Sequence, residues 1–233
     1  MKSKKYYETI VIGAGAGGLF FGAACPVSGG DSGRTLILEK TNRIGTKLLM
    51  SGSGQCNLTH GGSIKEFLSC YGQNGKRIRT VLYRHNNIEL CEFMQGLGIT
   101  TMEREDGKIF PASLRAKDVR DALVRRCGEN GVEIKTGSEV ARIAPLENAD
   151  SANGGTEAFV GASAPDSGTA AFAGASAPDD AMRFRLETAD GSLYTCRNLV
   201  IAAGGSSYPT TGSDGSLLKV LSRDFSELAV CEP

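Results

Sequence analysis

Apolar residues along this chain gather into short β-branched runs and into stripes spaced three and four residues apart. Glu8-Thr-Ile-Val-Ile-Gly13 is a continuous apolar run of the kind a parallel strand buried on both faces requires. It leads straight into Gly13-Ala14-Gly15-Ala16-Gly17-Gly18 and then into an apolar segment, residues 19–24, that reads as a helix halted near Pro26. A polar loop over 28–33 separates that helix from Arg34-Thr-Leu-Ile-Leu-Glu39, a second buried run. Strand, helix, strand in this order predicts a βαβ unit, and so a parallel sheet.

Further along the periodicity becomes helical. Asn86 or Asn87 can cap a helix whose Leu90, Phe93, Met94 and Leu97 fall on one face, with Gly96 and Gly98 to end it. Asp118 to Cys127 repeats the pattern through Val119, Ala122, Leu123 and Cys127, with Gly128 behind. Both stripes are read as core packing with no cofactor role. Val132–Thr136 and Val140–Ile143 read as strands. Met182, Phe184, Leu186 and Thr188 alternate with charged residues, as a half-buried strand does. Asp190-Gly191 suits a hairpin turn. A return strand over 193–196 and a separate apolar strand, Leu199-Val-Ile-Ala-Ala-Gly-Gly205, complete the pattern. That last run reads as a central parallel strand whose glycines let a ligand approach the backbone.

One stretch fits no element. Within 147–180, Ala158-Phe-Val-Gly-Ala-Ser-Ala-Pro-Asp166 returns almost unchanged as Ala171-Phe-Ala-Gly-Ala-Ser-Ala-Pro-Asp179. Two copies are too few for a solenoid, and small residues with proline bury little, so this reads as a low-complexity, disordered insertion between strands.

Composition narrows the class. Lys plus Arg and Asp plus Glu number 26 each, so no global field favours nucleic acid or an anionic membrane, and neither is expected as a partner. Seven cysteines form no CxxC pair, and only two histidines, His60 and His85, are present, so the ligand spacing of a zinc site is missing. The scattered cysteines suit reduced thiols in the cytoplasm. Lys2, Lys4 and Lys5 before an apolar run superficially resemble a secretory signal, but five glycines interrupt residues 13–22. No apolar run is long enough for a membrane span.

The glycine-rich turn carries the chemistry. A lone GxGxxG is a weak signal, but this one follows a strand, opens a helix, and is answered by Glu39 at the end of the next strand, 21 residues after Gly18. Gly13 permits the tight turn, Gly15 lets the backbone approach a pyrophosphate, and Gly18 lets helix and strand pack closely. The helix N-terminus offers N–H groups and partial positive charge to the phosphates. Glu39 suits the two hydroxyls of an adenosine ribose and disfavours a 2′-phosphate there. The fingerprint by itself leaves FAD and NAD as alternatives.

The stretch KLLMSGSGQCNLTH, residues 47–60, follows the ribose-binding strand. As a linker it would be misplaced in so motif-dense a region. Asn57-Leu58-Thr59 matches a glycosylation acceptor, which a cytoplasmic setting makes coincidental. The reading kept is a backbone cradle in which Ser and Gly residues bring peptide N–H groups to a cofactor and Asn57 makes a polar contact. Cys56 is either a nucleophile or a small thiol that is buried or faces the cofactor; no motif supplies it with a histidine partner.

Ile12-Gly-Ala-Gly-Ala-Gly-Gly-Leu19, Leu38-Glu-Lys40 and Ile44 to His60 together resemble the BaiN-like (YhiN-like) flavoproteins. Asp106-Gly-Lys-Ile-Phe-Pro-Ala-Ser113 with Ala116-Lys-Asp-Val119, and Ala203-Gly-Gly-Ser-Ser-Tyr-Pro209 with Gly212-Ser-Asp-Gly215, fit the same family. SGSGQCN is its most specific part, and the likeness covers most of 8–220 apart from the repeat.

The resemblance implies an α/β fold: an incomplete Rossmann-like FAD/NAD(P)-binding domain over 1–233, with a parallel central sheet and a small antiparallel β-meander. It implies FAD, flavin-dependent oxidoreductase activity on a small organic substrate, and NAD(P)H as a candidate electron donor. Gly13, Ala14, Gly15 and Gly18 would meet the pyrophosphate, and Glu39 with Lys40 the adenosine end. Lys47 and the 52–57 loop, with Gly52, Gly54, Cys56 and Asn57, would lie along the cofactor toward the flavin. Val140 would offer backbone contacts to the adenine, and Gly204 and Gly205 would line the exit of the last strand. Gln55 departs from the family's usual Arg, removing a cationic contact.

The family also continues into a second, mostly β substrate domain about where this sequence reaches Pro233. On that reading the 233 residues are a fragment, a split subunit awaiting a complementary chain, or a non-catalytic remnant. Two alternatives to a flavoprotein remain: an NAD-binding module without flavin, and a truncated polypeptide that holds no cofactor tightly.

Overall fold

The computed structural model describes residues 5–25, 34–146 and 182–225. The proposed insertion over 147–180 lies outside the described residues. Strand β1 (Lys5–Ile12) is followed by helix α1 (Ala16–Ala24) and strand β2 (Thr35–Leu38), which pairs parallel to β1 with Ile10 opposite Leu36 and Ile12 opposite Leu38. This is the expected βαβ unit. The helix begins at Ala16, three residues earlier than the apolar run suggested, because the glycines of the turn themselves enter its first turn.

Beyond β2 come helix α2 (Thr46–Met50), a 3-10 turn over Ser51–Gly54, and strand β3 (Thr59–His60). Helices α3 (Ile64–Ser69), α4 (Gly75–Arg84) and α5 (Asn87–Gly96) follow, then strands β4 (Thr101–Glu103) and β5 (Lys108–Pro111). Helix α6 (Ala116–Glu129) leads to strands β6 (Glu133–Lys135), β7 (Val140–Pro145), β8 (Phe184–Thr188) and β9 (Leu193–Ile201), and helix α7 (Ser216–Asp224) comes last.

The main sheet has the order β6-β2-β1-β9-β8-β7. Its β6-β2-β1-β9 part is parallel, and β9-β8-β7 is an antiparallel meander. A small antiparallel sheet, β3-β5-β4, stands apart from it. The expected combination of parallel centre and meander is therefore present.

Why the central runs are apolar throughout is now explicit. Val11 and Ile37 face one core, with Leu19 of α1 and Val119, Leu123 and Cys127 of α6. Ile10, Ile12, Leu36 and Leu38 face the other, with Leu186, Cys196, and Leu217 and Leu221 of α7. Both faces of β1 and β2 are covered, so neither strand alternates. Helices α1 and α6 approach closely because Gly22 has no side chain: a Cβ there would lie 2.8 Å from Cys127 Sγ. Buried Asn130, just past α6, donates to Gly22 O at 3.1 Å and Ala23 O at 3.0 Å, satisfying carbonyls at the C-terminal end of α1.

Two sequence expectations are corrected. Gly128 does not stop α6, which runs on to Glu129; the left-handed residue that ends it is Gly131 at φ 74°. The return strand and the last apolar run are not separate but form the single strand β9. Nothing in Arg197-Asn198 breaks an extended backbone, so the strand serves β8 antiparallel and β1 parallel at once.

Candidate functional site

The carboxyl ends of β1, β2 and β9 converge on one cavity of about 400 Å³. Open parallel sheets place ligands there, in the crevice beyond the strand ends. Gly13, Ala14, Gly15, Ala16 and Gly17 form one wall, Leu38, Glu39 and Lys40 the next, and Ala202, Ala203 and Gly204 the third. Val140, Lys47 and Asn57 also line it.

The turn after β1 has the geometry that the fingerprint needs. Gly13 adopts φ 105°, and a Cβ there would come within 2.6 Å of Ala202 O. A Cβ on Gly18 would lie 1.9 Å from Gly13 O, so only glycine lets α1 sit this close to the end of β1. At Gly15, by contrast, a Cβ would meet nothing within 4 Å. Gly15 also stands at the N-cap of α1 with no side-chain cap, and it lines the cavity. The first turn of α1 thus offers N–H groups and partial positive charge to the cavity, over space that a side chain would fill.

Glu39 is held as well as exposed to the cavity. One carboxylate oxygen accepts from Ala14 N at 2.9 Å, and the other accepts from Thr41 N at 2.9 Å and Thr41 Oγ1 at 2.8 Å. These bonds fix its direction at the end of β2. Lys40 Nζ donates to Asp214 Oδ1 at 2.6 Å and to Ser216 Oγ at 3.1 Å, joining β2 to the start of α7. That ammonium holds the Asp214 carboxyl well below the usual carboxylate range, helped by the Ser216 N–H. Lys47 Nζ lies 5.2 Å from the centre of the Tyr208 ring.

The 51–57 segment is a strained turn. Gly52, Ser53, Gly54 and Cys56 all adopt positive φ, 55°, 56°, 85° and 63°. For Ser53 and Cys56 that conformation costs about 1–2 kcal/mol each, and such outliers concentrate at ligand-holding sites. Cys56 N donates to Ser51 O at 2.9 Å and Gln55 N to Gly52 O at 3.1 Å, which closes the turn on itself. A second, shallower cavity of about 350 Å³ lies beside this turn, between it and the small sheet. Gly52, Gln55, Arg104 and Phe110 are among its walls, and Asn57 lines both cavities.

Five expected positions fall elsewhere. The Cys56 side chain is 2% exposed and belongs to the core with Val11 and Leu48, not to the cavity wall. Burial pushes its thiol up, against a smaller opposing hydrogen bond with Ser51, so it is no activated nucleophile. Gly18 packs on Gly13 instead of meeting the cavity, and neither Gly54 nor Gly205 lines it. Gly52 lines the second cavity, not the first. Sequence reasoning missed Arg43, Ser138, Thr211, Ser213 and Asp214. Asp214 had a signal within Gly212-Ser-Asp-Gly215, an acidic residue between two glycines. The others lie in loops whose path the periodicity does not reveal.

Among the described residues no group of His, Cys, Asp and Glu could hold a metal, and no helix is long and apolar enough to cross a membrane.

Solved structures share the fold. The chain superposes on Thermovibrio ammonificans THI4 with a TM-score of 0.54, at 11% identity, covering 96% of this chain and 64% of that one. A flavocytochrome c3 fumarate reductase gives 0.53 at 14% identity, covering 90% and 37%. Among curated proteins, a ribosomal RNA dihydrouridine synthase of Haemophilus influenzae is 28% identical over 211 residues, 90% of this chain and 43% of that protein. A 3-dehydro-bile acid delta(4,6)-reductase of Clostridium scindens is 30% identical over 207 residues, 88% of this chain and 41% of that one. The chain thus spans less than half the length of either relative. The model of the HI0933-like protein Rossmann domain matches residues 7–229, nearly the whole sequence, and the motif segments quoted above lie inside that match. This chain belongs to the HI0933-like family.

Proposed function

We propose that this chain is the FAD-binding part of a flavin-dependent oxidoreductase acting on a small organic substrate. The observation that carries the reading is Gly15, at the open N-terminus of α1, with free space where a side chain would project. Glu39, fixed by Ala14 and Thr41, supplies the acceptor for ribose hydroxyls, and Val140 closes the adenine end. FAD, when bound, supplies the hydride or electron chemistry; the protein binds it, orients it and excludes water. Asn57 lines both this cavity and the second one. A relative named as a bile acid reductase supports reduction as the reaction type. NAD(P)H is the proposed electron donor.

The test is the purified chain itself. It is expected to carry yellow flavin, and Gly15→Val to lose at least nine-tenths of it (about tenfold, or 1.4 kcal/mol, in affinity) while keeping the same circular dichroism. Unchanged flavin content in G15V would refute the cradle. Anaerobic bleaching by NADH or NADPH tests the donor.

A second reading has its own support. Lys65 on α3 and Lys76, Arg77 and Arg79 on α4 are exposed, with no ion-pair partner among the described residues, and Arg79 stacks on exposed Tyr83 at 5.6 Å. Unpaired cations beside an aromatic ring suit a nucleic-acid backbone, and the Haemophilus influenzae relative is named for ribosomal RNA. Fluorescence anisotropy with a labelled single-stranded RNA separates the two readings: salt-sensitive binding lost in a K76E/R79E variant favours RNA, and no binding favours the small substrate.

A further inference from the structure

We propose that the second cavity is a subsite for an oxyanion of the substrate, carboxylate or phosphate, and that Arg104 is its cation. The proposal rests on the flavin reading, because it is Asn57, lining both cavities, that sets this one beside the cofactor.

The geometry is that of a cation held in place with its charge left over. The Arg104 guanidinium stacks on the Phe110 ring, 4.0 Å from its centroid. Its Nη2 donates to Gln55 Oε1 at 2.6 Å. Phe110 is 3% exposed, so the ring beneath the guanidinium is packed in the interior. Gly52 allows the turn to close over it, since a Cβ there would sit 3.0 Å from Phe110 Cε1. A guanidinium so anchored has lost most of its conformational freedom before any ligand arrives.

What anchors it decides the function. If Arg104 were a structural lid over Phe110, a carboxylate at position 55 would hold it best. Gln55 instead accepts one hydrogen bond and neutralises nothing. Arg104 takes part in no ion pair among the described residues and no Asp or Glu lines the cavity; Asp106 feels its charge, but as the smallest of several influences and from beyond ion-pair distance. Four of its five N–H donors have no protein acceptor among the described residues. The other cation on the wall, Lys108, is paired at 2.6 Å with Asp106, outside the lining, so its charge is largely answered. A planar fork with free donors matches the two oxygens of a carboxylate or a phosphate. Arg104 stands 49 residues beyond Gln55 along the chain and is brought to the same turn by the small sheet.

The FAD-loaded chain is titrated with sodium benzoate and, separately, with inorganic phosphate. Flavin absorption is followed beside calorimetry, which reads anion binding whether or not flavin is present. Saturable binding of either anion is expected, with benzoate indicating a carboxylate and phosphate a phosphoryl group. Arg104→Gln should weaken it by about tenfold and Gln55→Ala by a smaller factor, both with unchanged flavin content. Neutral benzamide should not bind. Saturable binding that R104Q leaves intact, or no saturation by either anion, overturns the subsite. Loss of flavin with anion binding preserved overturns the cofactor reading instead.

Discussion

Asp214 shows how a single residue links two elements and gives the cavity a pH dependence. Its carboxyl titrates below the usual range because the Lys40 ammonium bonds it directly. A carboxyl depressed in the folded state stabilises that state at every pH above the unfolded value, about 3.9, and the contribution is lost as pH falls toward the folded value. Thermal midpoints measured from pH 7 to pH 2 should therefore drop below about pH 4, and more shallowly in Asp214→Asn. A D214N profile parallel to the wild type would show that the pair adds nothing, as exposed pairs often do. Gly13 and Gly18 were legible in the sequence because each has a separate steric reason in the fold to lack a side chain, whereas Gly15 faces open space and is accounted for by the proposed pyrophosphate. Cys56 was not legible, because a cysteine among glycines reads the same whether it points at the cofactor or into the core.

At the scale of elements, caps and stripes proved readable where they are local. Asn86 ends the ambiguity left by the two adjacent asparagines: its Oδ1 accepts from Ile88 N at 2.9 Å and Glu89 N at 3.0 Å, so it is the cap of α5. Asn86→Ala should cost about 1 kcal/mol, measured as a shift in the urea midpoint with unchanged slope. No shift would mean that α5 is held by Met94 and Leu97 alone. The stripe through Val119, Ala122, Leu123 and Cys127 faces the core as its spacing predicted. Helices α2, α3 and α4 were not anticipated. The first two are five and six residues long, too short for a period to show, and α4 buries only Gly75. The small β3-β5-β4 sheet was also missed, since its strands are two to four residues long.

For the molecule as a whole, β9 is the joint. It carries the antiparallel meander on one side and the parallel βαβ unit on the other, and its end supplies Ala202, Ala203 and Gly204 to the cavity. Cores on both faces of the sheet bury Cys196 of β9 and Cys127 of α6. Burial pushes the Cys196 thiol up to about 12 and the Cys127 thiol up to about 11. Among the cysteines of the described residues, exposed Cys70 should therefore be labelled first in a brief maleimide pulse at pH 8, and Cys127 and Cys196 only on unfolding in urea, read by peptide mass spectrometry. Early labelling of Cys196 would mean that the sheet opens at β9.

The βαβ unit, the glycine-rich turn and Glu39 at the end of the next strand could be read from the residues alone, because they depend on contacts between near neighbours and on sterics that each residue type enforces. The family was legible there too, through SGSGQCN and its companion segments. Packing of the whole chain was needed to establish that β9 is one strand, that Lys40 and Asp214 meet across 174 positions, and that Arg104 reaches Gln55. Those facts belong to pairs distant along the chain, and which of them meet is set by how the sheets and helices pack, not by any local pattern.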